Sequence, residues 1–136
     1  MRFQLIRPNR ADMKAQYTLL RPAFNQVHEA KFEFDFCCDA VTNRRASMYH
    51  LKGKGVSVRF VGVVTNDNDY LILAMTGKGL VTAAPIIIDT VKSQGYRAIK
   101  YHTVRQGMKR ILQRFGFSVL ATTDHDTVMA LNLEGC

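Results

Sequence analysis

Apolar residues recur along this chain at two spacings, and the switches between them mark out its elements. Tyr70–Met75, YLILAM, is a continuous apolar run of strand length, the pattern of a strand buried on both faces. Thr76-Gly77-Lys78-Gly79 breaks it, and a helical pattern runs from Thr82 to Gln94. Gly95-Tyr96 stops that helix, and Ala98–Val104 predicts a second strand. Strand, glycine turn, helix and strand make a βαβ unit. Its crossover implies parallel strands, or strands whose ends splay close to one another. The rest of the chain reads as additions to this unit.

Upstream, Phe3, Leu5 and Arg7 alternate with Arg2, Gln4 and Ile6, which predicts a short first strand closed by Pro8. Asn9-Arg10-Ala11-Asp12 carries the signals of a helix start, for a helix from Arg10 to about Leu20 with Met13, Tyr17 and Leu20 on one face. Arg21-Pro22 interrupts it, because the residue before proline avoids the helical region. A second short helix, Pro22 to Ala30, presents Phe24, Val27 and His28. Lys31–Cys37 alternates strictly, Phe32, Phe34 and Phe36 against Glu33, Asp35 and Cys37, and so predicts a strand or an extended loop. Its aromatic face either covers core or forms an aromatic and acidic wall toward a substrate. Ser47–Lys52 follows a TNRR turn as the next strand and ends at Gly53–Gly55. Val56–Val64 is a strand, and the turn Asn66–Asp69 joins it to Tyr70–Met75 as an antiparallel hairpin.

Downstream, Arg105–Phe115 is a basic amphipathic helix, with Met108, Ile111, Leu112 and Phe115 as its apolar stripe. Gly116 ends it. Phe117–Ala121 and Thr127–Leu133 form a last hairpin around Thr122–Asp126. The sum is an α/β fold, a mixed sheet with helices on both faces.

Composition narrows the class. A chain of 136 residues, 47% hydrophobic and 22% charged, suits one globular domain spanning 1–136. Lysine and arginine number 19 against 11 acids, and a net charge of +8 favours an anionic partner without saying which. Cys37, Cys38 and Cys136 are odd in number and two are adjacent, the pattern of free thiols in a reducing, cytoplasmic compartment. No apolar stretch is long enough to cross a membrane, and MRFQLIRP is too short and polar for a signal peptide.

TGKG before a helix has an electrostatic rationale. Gly77 and Gly79 allow close backbone approach, the free amides of Leu80, Val81 and Thr82 point at an anion, and Lys78 adds charge. Pro85, near the third helical position, costs little there. The turn is neither a P-loop nor a dinucleotide fingerprint, since GxxxxGK[ST] is absent and GxGxxG fails at Thr82. The histidines His28, His50 and His125 show no ligand spacing with the cysteines, so no metal site is expected.

With these elements in this order, the chain resembles the GNAT superfamily of acyl-CoA-dependent N-acyltransferases, over nearly its whole length. Ala74-Met75-Thr76-Gly77-Lys78-Gly79 matches both glycines of the family's Q/R-x-x-G-x-G/A turn, with Ala74 in place of Gln or Arg. Gly116-Phe117 stands at the family's distance after the fourth helix. Arg105 replaces the usual Asn, Met108 the small residue and Leu112 the tyrosine that serves as general acid. A similar worn pattern occurs in small GNAT-like proteins of tailed phages. The resemblance implies acetyl-CoA as the bound thioester, held by Ala74, Met75, Gly77, Lys78, Gly79, Leu80 and Val81, and an amine acceptor. His102 and Tyr101 are the candidate catalytic residues, with Glu33 and Asp35 as further bases.

Two other readings stand beside this one. A GNAT-like fold without catalysis would serve as an interaction or virion protein, and Leu112 and Arg105 favour it. A nucleic-acid module would use Arg105, Lys109, Arg110 and Arg114, with Lys92, Arg97 and Lys100 over phosphates and Tyr96 or Tyr101 stacking on bases. The edge of the last hairpin suits pairing with a second copy of the chain.

Overall fold

In the computed structural model, which describes residues 1–134, the predicted βαβ unit is the middle of a seven-stranded sheet. Cys136 lies outside the described residues. The strands are β1 (Arg2–Ile6), β2 (Ser47–Gly53), β3 (Val56–Val64), β4 (Tyr70–Lys78), β5 (Ala98–Thr103), β6 (Ser118–Thr122) and β7 (Thr127–Asn132). Their order is β1-β2-β3-β4-β5-β7-β6. Every neighbouring pair is antiparallel except β4 and β5, the two joined by the crossover helix α3 (Leu80–Ser93).

Each face of the sheet carries its own core. On one side α3 and α4 (Gln106–Arg114) bury Ala83, Ile87, Val91, Met108 and Leu112 against Val58, Phe60, Ile72, Ile99 and Met129. On the other, α1 (Met13–Leu20), the 3-10 turn Arg21–Phe24 and α2 (Ala30–Thr42) bury Met13, Leu20, Phe24, Phe34, Cys37 and Val41 against Met48, Val61 and Ala74. The mixed sheet with helices on both faces is therefore as the pattern predicts.

The largest departure is at Lys31–Cys37, which is neither strand nor extended loop but the first half of α2. The three phenylalanines suggest a period of two. The wider stripe of Phe34, Cys37, Ala40 and Val41, all buried, has the helical period and decides the conformation. Phe32 and Phe36 share the opposite, exposed face. The predicted helix Pro22–Ala30 is only the 3-10 turn, after which Asn25 turns extended and Gln26 and Glu29 take positive φ of 70° and 53°.

Smaller shifts have local causes. Helix α1 starts at Met13 rather than Arg10, because the Asp12 carboxylate accepts from the Arg10 guanidinium at 2.7 and 2.8 Å and caps no backbone amide. Helix α3 starts at Leu80, two residues early, which moves Pro85 to its sixth position and deprives the exposed Val81 carbonyl of a helical donor. In β1, Ile6 is the buried residue and Leu5 is exposed. Helix α4 ends as predicted at Gly116, φ 95°. The Phe117 amide donates to the Leu112 carbonyl at 3.0 Å and that of Gly116 to Gln113 at 3.2 Å, a Schellman closure with Phe117 packed in the same core as Leu112.

Candidate functional site

Strands β4 and β5 start side by side and then part. Tyr70, Leu71 and Ile72 pair with Ile99, Lys100 and Tyr101, and no pair follows. At the same point Val61 pairs with Ala74 and Gly62 with Ile72, which leaves Leu73 as the extra residue of a bulge and bends β4 away. The gap opens into a cleft of about 480 Å³.

The chain brings most of the predicted chemistry to this cleft. Ala74 and Met75 of β4, Tyr101, His102 and Thr103 of β5, and Arg105 and Met108 at the start of α4 all line it. Glu33 of α2 joins them. Asp35 does not, for it is exposed and paired with Lys31 at 2.9 Å. Gly77, Lys78, Gly79, Leu80 and Val81 stand outside the lining, where β4 runs into α3.

Those two glycines are packing residues. A Cβ on Gly77, at φ 140°, would stand 2.0 Å from the Ser57 carbonyl oxygen, and one on Gly79, at φ 77°, 2.7 Å from that of Gly55. Close approach is thus to the chain's own backbone, Gly77 to the start of β3 and Gly79 to the β2–β3 turn. The first amides of α3 remain free of helical partners, Lys78 and Val81 are exposed, and Ala74–Thr82 contains no acid.

His102 has an orienting partner that sequence spacing did not reveal. Its Nδ1 is 3.1 Å from Asp126 Oδ2, across from β5 to the β6–β7 turn. Thr123 Oγ1 donates to Asp126 Oδ1 at 2.8 Å and accepts from the Asp126 amide at 3.0 Å, so the carboxylate is held in place. With an Nδ1 proton directed at Asp126, Nε2 is left as an acceptor. His125 stacks on His28 at 3.8 Å between centroids, closing the cleft between the 21–30 segment and the same turn. The only sequence signal for these partners was the Asp126 of a predicted hairpin turn.

Tyr101 is buried, and burial pushes its phenol up to about 12 against the opposing pull of Arg105. It keeps its proton at neutral pH. The Arg105 guanidinium donates to the Pro22 carbonyl across the cleft. Leu112, at the position of the family's tyrosine, is 4% exposed in the α3–α4 core and does not reach the cleft. Burial raises the Cys37 thiol to about 12 and that of Cys38 to about 11, so neither is a ready nucleophile. Arg97 and Lys100 both pair with the buried Asp69, at 3.2 and 2.9 Å.

No protein-family model matches the sequence, and no curated protein matches it. Solved structures match the fold along its whole length. An acetyltransferase from Bacillus subtilis in complex with CoA is 16% identical with a TM-score of 0.69, over 96% of this chain and 97% of its own. The PaiA N-acetyltransferase from Thermoplasma acidophilum, in complex with coenzyme A, is 11% identical with a TM-score of 0.68, over 97% and 99%. The ribosomal-protein-S18-alanine N-acetyltransferase from Escherichia coli is 14% identical with a TM-score of 0.62, over 99% and 96%. The chain has the fold of the GNAT acetyltransferases. None of these three is a phage protein, and at such identities the likeness is one of fold.

Proposed function

We propose that the chain is a single acyltransferase domain that moves an acetyl group from acetyl-CoA to an amine. The observation that carries this reading is the parting of β4 and β5 after Ile72 and Tyr101, which exposes the edge of β4 at Ala74 and Met75 to a cleft containing an oriented histidine. The residues present fit a CoA thioester. Lys78 and the free amides of Leu80, Val81 and Thr82 would face its diphosphate, and the edge of β4 its amide-bearing arm. Bound there, acetyl-CoA supplies an activated acyl group.

The chain's own groups do the rest. An ammonium group must lose a proton before its nitrogen can attack, and His102 Nε2 is the acceptor, with Asp126 holding the tautomer. The new C–N bond then replaces the thioester C–S bond, and the proton shed by the acylated nitrogen goes to the departing CoA thiolate. Glu33 and Asp126 are the carboxylates that draw an ammonium group, in excess over the single cation Arg105, whose guanidinium is turned to the Pro22 carbonyl, while Phe24 and Val27 supply apolar wall. Tyr101, protonated, is a hydrogen-bond donor at the root of the gap. Leu112 is the specific observation behind a second reading, a GNAT-like binding protein without turnover.

Calorimetric titration with acetyl-CoA tests the assignment, with a Lys78→Glu, Val81→Glu variant alongside. Both side chains are exposed, so the variant keeps the core, and acids in a first helical turn do not harm the helix. Binding by the parent weakened at least about tenfold in the variant is expected, equivalent to one lost charge-assisted contact. No binding at millimolar acetyl-CoA would sink the proposal. Binding without transfer to any of a panel of amines would leave the second reading.

A further inference from the structure

The sheet face that carries α3 is only partly covered. Helix α3 packs against β3, β4 and β5, and beside its C-terminal half a groove of about 330 Å³ lies over β1 to β4. It is at the starting end of β4, by Tyr70, whereas the cleft takes in β4 from Leu71 to Met75. The two share no lining residue.

Five aromatic rings wall the groove. Phe3 meets Phe60 edge-on at 6.2 Å, Tyr49 stacks on Phe60 at 5.5 Å, and Tyr70 and Tyr96 lie 5.5 Å apart. Strand register puts Tyr49 beside Phe60, Ser47 beside Gly62 and Val64 beside Tyr70, so these residues share one face. Gly62 is a notch for the Tyr70 hydroxyl, since a Cβ there would stand 2.0 Å from it.

The polar groups of this groove are unspent. Tyr70 is 7% exposed, yet neither its hydroxyl nor those of Tyr49 and Tyr96 has a hydrogen-bond partner among the described residues. No sealed side-chain polar atom there lacks a partner, so the Tyr70 hydroxyl opens onto the groove. Burial raises the Tyr70 phenol, and the nearby phenols of Tyr49 and Tyr96 raise it further, so it is a donor at neutral pH. Arg45 is the one charged residue of the lining, and it has no acidic partner among the described residues.

We propose that this groove is a second ligand site that takes a small planar aromatic carboxylate. Its volume is that of a small-molecule pocket and suits one or two fused rings. The aromatic walls accept a flat apolar body by offset or edge-on stacking. Three phenol donors and an unpaired guanidinium want an acceptor that carries negative charge. An ammonium ligand would gain from the ring faces, but it would meet Arg45 with no carboxylate in the lining to offset it.

The test is titration of 15N-labelled protein with sodium 2-naphthoate, followed by amide shifts, with 2-naphthylmethylammonium as the control of opposite charge. Saturable shifts at Gly62, Val64, Gln94 and Tyr96, and affinity about tenfold better for the carboxylate, are expected. Arg45→Gln and the ring-preserving Tyr49→Phe, Tyr96→Phe variant should each weaken it several-fold with their spectra otherwise intact. Equal or better binding of the ammonium, shifts confined to the cleft at Ala74 and His102, or no shifts at low-millimolar naphthoate would overturn the proposal.

Discussion

Ile72 and Tyr101 are the last residues that β4 and β5 pair, and the next residue of β4, Leu73, is the bulge. The coincidence is mechanical. An extra residue on the β3 side bends β4, and the bent strand can no longer keep a parallel neighbour in register. Everything proposed for the cleft depends on that parting.

Glycine substitutions separate packing from ligand approach. Gly77→Ala sets a methyl against the Ser57 carbonyl and should cost about 3 kcal/mol or more in urea unfolding. Gly95→Ala, at φ 86° with open space around it, should cost only about 1 kcal/mol. Gly107→Ala, in the first turn of α4 with no neighbour in reach, should be neutral or gain about 0.5 kcal/mol. Equal losses at Gly77 and Gly95 would show that contact with β3 is not what requires the first of them.

His102 and Asp126 should act as one unit. If transfer is found, His102→Gln should slow it about 10²-fold, as loss of a general base does, while acetyl-CoA binding is unchanged. Asp126→Asn should slow it less, and imidazole 15N shifts should show the Nδ1–H tautomer of His102 giving way to a mixture. A histidine whose tautomer ignores Asp126 would remove Asp126 from any positioning role.

Restoring the family's tyrosine should not restore anything. Leu112 is enclosed among Met108, Phe117 and Met129, so Leu112→Tyr overpacks the core and brings a hydroxyl with no partner. A loss of about 2 kcal/mol in unfolding free energy is expected, without faster transfer. A stable variant with faster turnover would mean that α4 presents this position to the cleft.

Asp69 should give the fold an acid-sensitive tie. It is fully buried, and its carboxyl is held below the usual range by hydrogen bonds from Arg97 and then Lys100, against the opposing effect of burial. A lowered folded-state pKa means stability fully present above the ordinary aspartate value near pH 4 and lost as pH falls through the folded one. Asp69→Asn should therefore cost about 2 kcal/mol at pH 7, with Arg97's exposure moderating the loss. The gap between the two proteins in chemical denaturation should close as the pH drops below 4. A gap unchanged at low pH would mean that the ion pairs contribute nothing.

The elements of the sheet were legible in the chain itself. YLILAM, the alternation of Val56–Val64 and the glycines at 95 and 116 sit where local chemistry alone sets strand, helix and stop, because a run buried on both faces or a left-handed cap leaves few alternatives. Order along the chain also gave the crossover, and with it the class of fold. What the sequence left open was every feature settled by contacts distant in the chain. Phe32-Glu33-Phe34-Asp35-Phe36 is ambiguous by itself, and it is helical because Phe34, Cys37 and Val41 have a sheet face to cover. Leu112 turned to the core and Tyr96 beside Tyr70 follow from helix docking on the sheet. The bulge at Leu73, Asp126 brought to His102, and Tyr70 set over Gly62 follow from strand register. Register joins residues far apart in the chain, and no local pattern records it.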